Sequence, residues 1–215
     1  GRSEEDIRLL VDAITDLSDK EALEMCMLAD CVVDEQDTSL MQCWSTSCGP
    51  AVAQVIRGQV DPVYALKLRQ SGDVHTVSSR RPEASHNVLA LQQKEMLQRT
   101  NQFDKSGYAV PRYEMYGRGR WSSDLFSEAT DFLGLKYNKP LQFEDEHSAR
   151  QGWGMAKLLL AQGFPIPMVI ARQYGEGAHY VLALSSLEIE GQGHLLLYDP
   201  WSATTKWYPE EILFD

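Results

Sequence analysis

The chain changes its hydrophobic period at about Pro165, and that change restricts the fold more than any other feature. Before it, apolar residues recur at helical spacing, as in Ile7, Leu10, Val11, Ile14 and Leu17, and again in Leu125, Phe126, Ala129, Phe132 and Leu133. After it, Pro165–Ala171, His179–Ser185, Leu195–Tyr198 and Thr204–Trp207 read as consecutive short strands separated by turn-rich segments. Strands in close succession pair most simply as an antiparallel meander. Helices first and strands last predict an α+β domain, with helices packed on a C-terminal antiparallel sheet.

The helical part divides further. Residues 4–17 form one amphipathic segment, and Ser18 or Asp19 caps a second that runs to about Ala29. Residues 1–39 are therefore expected as a helical appendage to a main unit over 40–215, or else as two helices that cover a sheet face. A helix is expected from Pro50 to a stop at Gly58, and others over Asp61–Arg69, Val88–Arg99, Trp121–Leu133 and Ser148–Ala161, the last closed by Gly163. Residues 71–87 lack periodicity and read as a long surface loop. The segment 101–120 offers Gly107, Pro111, Gly117 and Gly119 as turn points. Its tyrosines, Tyr108, Tyr113 and Tyr116, pack the loop or line a groove.

Charge narrows the partners. The net charge is −11, and residues 1–40 hold twelve acidic side chains against Arg2, Arg8 and Lys20. That balance argues against nucleic acid and anionic membranes, and leaves a solvated helical face or a docking site for a basic partner. No apolar run is long enough to span a bilayer, and no signal peptide is visible. The four cysteines, Cys26, Cys31, Cys43 and Cys48, have spacings that superficially suggest zinc. Cys26 and Cys31 fall instead within an apolar helical pattern, where a thiol packs as a small hydrophobe. All four are expected to be reduced, with no metal and no cofactor.

Cys48 stands where a Ser/Thr-rich loop meets an apolar helix start, in Gln42-Cys43-Trp44-Ser45-Thr46-Ser47-Cys48-Gly49-Pro50. The positive end of the helix dipole and the unbonded amides there favour thiolate over thiol. Such a cysteine is a candidate nucleophile; the alternative is a buried structural thiol. His179 opens a strand directly after Gly175-Glu176-Gly177, a flexible approach to a rigid element, and is the candidate base. Asp199 ends the following strand before Pro200, so it either orients His179 or initiates a turn. Gln42 precedes Cys48 by six residues and is a candidate oxyanion donor alongside the Cys48 amide. His194 is expected to be exposed at a strand start, and His75, His86 and His147 have no partner spacing.

Taken in order, Gln42, Ser47-Cys48-Gly49-Pro50, Gly177-Ala178-His179-Tyr180-Val181-Leu182 and Tyr198-Asp199-Pro200-Trp201 resemble the papain-like cysteine peptidases of bacteria. The nearest likeness is to the double-glycine peptidases that trim bacteriocin leaders, and to their stand-alone cousins. It covers residues 40–58 and 165–215. The likeness implies a papain-like fold, with Cys48 as nucleophile, His179 as base, Asp199 as its orienter and Gln42 at the oxyanion. Ser47 stands where the leader-trimming members carry Asp.

The activity so implied is a cysteine protease that cleaves a protein substrate after small residues such as Gly-Gly. Stand-alone members with helical additions are similar to toxins that bacteria inject into rivals. That implies an effector acting in a reducing target cytoplasm, with a cognate immunity protein as partner. An amidase or glutamine deamidase using the same triad, and a non-catalytic binding domain, are the alternatives.

Overall fold

The computed structural model describes residues 2–19, 21–22, 40, 42, 47–70, 91–93, 95–96, 126–127, 129–131, 134, 136–137, 145–171 and 178–214. Within them run helices α1 (Glu4–Ile14), α2 (Cys48–Val60), α3 (Pro62–Gln70) and α4 (Glu146–Leu160). Strands β1 (Ile166–Ala171), β2 (Ala178–Ile189), β3 (Gln192–Asp199) and β4 (Thr204–Pro209) follow, and a 3₁₀ turn (Glu210–Leu213) closes the chain. The fold is α+β. Its four strands pair in chain order, each antiparallel to the next, as the change of period at Pro165 predicts.

The central strands are buried on both faces, and the alternation of side chains sorts the core into two layers. Tyr180, Leu182 and Tyr198 pack with Ala51, Val52, Val55 and Ile56 of α2. Val181, Ala183, Leu195 and Leu197 point the other way, onto Trp153 and Leu160 of α4. Phe126 joins the first layer, edge-on to both Tyr180 and Tyr137. Lys157 of α4 binds Glu210, and Arg150 binds Glu211 while lying over the Phe214 ring, so the C-terminus is strapped across α4.

Several boundaries differ from expectation for identifiable reasons. Gly58 does not stop α2; it is buried within the helix, which continues to Val60 and ends at Asp61-Pro62. The residue before a proline is driven out of helical conformation, and this outweighs a glycine three positions earlier. α4 begins at Glu146 rather than Ser148, because Asp145 caps it, its carboxylate accepting the Ser148 N–H at 2.7 Å. Strands β2 and β3 extend toward each other and meet at Glu190-Gly191, both at positive φ, the two-residue turn that matches strand twist. Ser18 and Glu21 form a reciprocal capping box, as expected for a second helix start. The expected loop 71–87, the turn-rich segment 101–120 with its tyrosines, and Cys26, Cys31 and Cys43 lie outside the described residues.

Helix α1 has no buried residue and rests beside α3. Two charged contacts tie it there, Lys67 to Asp6 and Arg2 to Asp61. Asp61 is only 1% exposed and does two jobs: it caps α3 by accepting the Tyr64 N–H at 3.1 Å, and it receives Arg2. Replacing Asp61 with alanine should cost about 2 to 3 kcal/mol in urea unfolding, the sum of a lost cap and an abandoned guanidinium. Asp61→Asn keeps the cap and should lose about half as much. Equal losses from the two would show that the cap is not the main contribution.

Candidate active site

The chemistry gathers where β2 begins and β3 ends. The register Leu182↔Tyr198, carried one step further, sets Asp199 across from Val181. His179 is then its diagonal neighbour on the same face, at about 7–8 Å between backbones, which these two side chains can span. His179 Nε2 and Asp199 Oδ1 are 2.7 Å apart.

That shared face depends on a bulge. The ladder shifts by one residue between Ala183 and Ser185, leaving Leu184 unpaired. Without the shift, the pairing of Ser185 with Leu196 would continue to place Asp199 opposite Leu182, on the other face from His179. One surplus residue therefore decides whether carboxylate and imidazole meet.

Asp199 Oδ1 also accepts the Trp201 N–H at 2.8 Å, an Asx turn that fixes the carboxylate after the strand has ended. Burial opposes its ionisation, but the hydrogen bonds from His179 and the Trp201 amide outweigh it and hold the carboxyl below its ordinary value. The expected turn role and the expected pairing with His179 are thus both present in one residue.

Cys48 arrives from the other layer. It is a free thiol, 9% exposed, in the core cluster with Tyr180 and Tyr198, and it begins α2. Its thiol is near enough to the His179 ring to act on the ring's pKa. Nε2 is taken by Asp199, so Nδ1 is the nitrogen left for the sulfur. The bond to Asp199 first, and the nearby Cys48 thiol second, raise the imidazole from 6.5 to about 9 against the opposing effect of burial. The arrangement is a thiol, an imidazole and a carboxylate in series, able to pass a proton between sulfur and ring while the carboxylate fixes the ring's orientation.

Gln42 is docked beside this turn. Its N–H donates to Pro200 O at 2.9 Å, and two residues earlier Leu40 O accepts the Tyr198 hydroxyl. Gln42 is 4% exposed and Leu40 0%, so both are buried against the end of β3. At the start of α2, Ala51 N–H already bonds Ser47 O and Pro50 has no N–H. The donors that the helix itself leaves there are those of Cys48 and Gly49.

The remaining described histidines do not join the site. His147 contacts Gln151, and His194, part-buried rather than exposed, turns Nδ1 to Gln192 O. Among the described residues no group of His, Cys, Asp and Glu is arranged to hold a metal, and no helix is long and apolar enough to cross a membrane. Residue patterns missed one feature, a buried amide chain behind Cys48. Ser47 donates to Gln93, Gln93 to Gln54, and Gln54 to Gln92, which also accepts the Tyr64 hydroxyl. Its signal was present: Gln54 is a polar residue on an otherwise apolar helix face. No protein-family model, no curated protein and no solved structure matches this chain.

The two shifted groups set a pH window. His179 contributes stability that is fully present below 6.5 and lost as pH rises through about 9. Asp199 contributes stability that is present above 3.8 and lost as pH falls through its depressed value. The difference in unfolding free energy between wild type and His179→Gln should therefore be widest between those two ordinary values and narrow through about 9. Urea titrations across that range measure it, and a gap independent of pH would mean that the pair is not ionic.

Proposed function

We propose that the chain is a cysteine peptidase on a papain-like plan. The observation that supports this reading is a single imidazole hydrogen-bonded to Asp199 and lying near enough to the Cys48 thiol for the sulfur to raise its pKa.

The steps follow from that placement. The Cys48 sulfur attacks the carbonyl carbon of a peptide bond, and the carbonyl oxygen takes the negative charge. The Cys48 amide, at the start of α2, and the side-chain amide of Gln42 receive that oxyanion. With its pKa raised to about 9, His179 is protonated at neutral pH and supplies the proton that the departing amine needs. Collapse of the intermediate breaks the C–N bond and leaves a thioester on Cys48. Part of what raises the His179 pKa is the nearby sulfur itself, and acylation removes that effect. The ring is then a better base for the water that hydrolyses the thioester. Asp199 holds the ring oriented through both half-reactions.

The substrate is a protein segment with small residues before the scissile bond, Gly-Gly foremost. The reading extends to an interbacterial effector that works in a reducing cytoplasm and is neutralised by an immunity protein. Free Cys48 suits such a compartment. Neither extension is needed for the chemistry.

Purified protein incubated with a bacterial lysate should generate new N-termini, preceded by small residues, that Cys48→Ala does not produce. Identical termini from the two proteins would exclude proteolysis at this site, and ammonia release without new termini would reassign the triad to deamidation. On a peptide so identified, Asp199→Asn should lower kcat/KM by at least about 10²-fold. Gln42→Ala should lower kcat by about 10²-fold with little change in KM, the signature of an oxyanion contact.

A further inference from the structure

Behind Cys48 lies a polar chain that the mechanism does not use. Ser47, Gln54 and Gln93 are all 0% exposed. Ser47 Oγ donates to Gln93 Oε1 at 2.9 Å, and Gln93 Nε2 donates to Gln54 Oε1 at 2.9 Å. Gln54 Nε2 donates to Gln92 Oε1 at 3.2 Å, where the Tyr64 hydroxyl also donates at 2.6 Å. Burial pushes the Tyr64 phenol up to about 12, so it stays a donor and anchors the far end of the chain.

Two features make Gln93 more than a packing residue. Ser47, which immediately precedes α2, and Gln54 within it are seven residues apart, about two helical turns, so both fall on one side of the helix. Helical side chains lean toward the N-terminus, so Gln54 covers the turn before its own and a single glutamine can hold both. The second feature is what Ser47 does not do. Ser3 and Asp145 precede their helices in extended conformation, with ψ of 157 and 163°, and their side chains cap the helix amides. Ser47 precedes α2 at φ −95° and ψ 19°, with no side-chain cap, and its hydroxyl goes to Gln93. Ser47, the residue before Cys48, is therefore held from outside the helix, by a residue 45 positions downstream of the cysteine.

We propose that Gln93 is a positioning residue, a buried clamp that fixes Ser47 to the body of α2 and so aligns Cys48 with His179. The proposal rests on the peptidase reading. It divides the labour of one side chain: the bond to Ser47 sets the reactivity of Cys48, while the bond to Gln54 contributes mainly to stability.

The test is the rate at which iodoacetamide alkylates Cys48 in the full chain at mildly acidic pH. Mass spectrometry reads each cysteine peptide separately, and thermal midpoints are measured on the same samples. Ser47→Ala, which removes one hydroxyl, should slow Cys48 by about tenfold while moving the midpoint little. Gln93→Leu should slow it to a similar extent and lower the midpoint as well. The double variant should be no slower than Gln93→Leu, because the two residues act as one unit. Gln93→Glu, which keeps the acceptor for Ser47 and loses the donor to Gln54, should retain most of the reactivity at a lowered midpoint. Reactivity that merely tracks the midpoint across the four proteins overturns the clamp. So does a wild-type rate in folded Ser47→Ala, even if the Gln93 variants fail to fold. Slow alkylation of Cys48 in the wild type, no faster than the other cysteines, overturns the peptidase reading and the clamp with it. A fast wild type with equally fast variants overturns the clamp alone.

Discussion

The pairing of β2 with β3 is the constraint on which the site depends. Two strands in antiparallel register put the side chains of opposed residues on one face, and a slip of one residue sends them to opposite faces. The bulge at Leu184 absorbs such a slip. Below it the hydrophobic alternation continues undisturbed, with Tyr180 and Leu182 toward α2, and Val181 and Ala183 toward α4. The two core layers and the His179–Asp199 contact are consequences of the same register, so neither can change without the other.

A second constraint acts across the layers. Cys48 is carried by a helix whose apolar face is seated on Tyr180, Leu182 and Tyr198. Tyr198 also binds Leu40 O with its hydroxyl, and Gln42 N–H binds Pro200 O, so Leu40 and Gln42 are docked on the strand end that carries Asp199. Packing and polar contacts thus tie the front of the molecule to its back at one place. The buried Ser47–Gln93–Gln54 bonds act on the same helix from its other side. Low dielectric makes an unsatisfied member costly, so a bonded chain of this kind specifies one placement of Ser47 before Cys48.

Much of this was legible in residue patterns. The strand order follows from closely spaced β-rich runs after Pro165, because short connections leave antiparallel neighbours as the simplest pairing. Pro50 and the apolar run behind it mark the start of α2, and Asp-Pro marks the start of α3. Other features were not legible. Gly58 looks like a stop, yet lies in a buried stretch of α2 where packing favours the continuing helix. Leu184 looks like one more apolar strand residue, since nothing in its chemistry marks a bulge. Gln92 and Gln93 look like surface residues of an amphipathic helix, but Gln93 is fully enclosed because Ser47 and Gln54 stand opposite it.

By itself, the sequence determined the class of fold, the order of the strands and the short set Gln42, Cys48, His179 and Asp199 as residues of interest. Each of these is a local property: a period, a turn chemistry, a thiol at a helix start. Tertiary structure alone decided that the register places Asp199 on the face of His179. It also decided that α2 brings the sulfur near the His179 ring, and that a glutamine 45 residues downstream of the cysteine holds Ser47, the residue before it. Those are distances between segments remote in the chain, and they follow from how two layers of side chains fill the space between a helix and a twisted sheet, which no local pattern encodes.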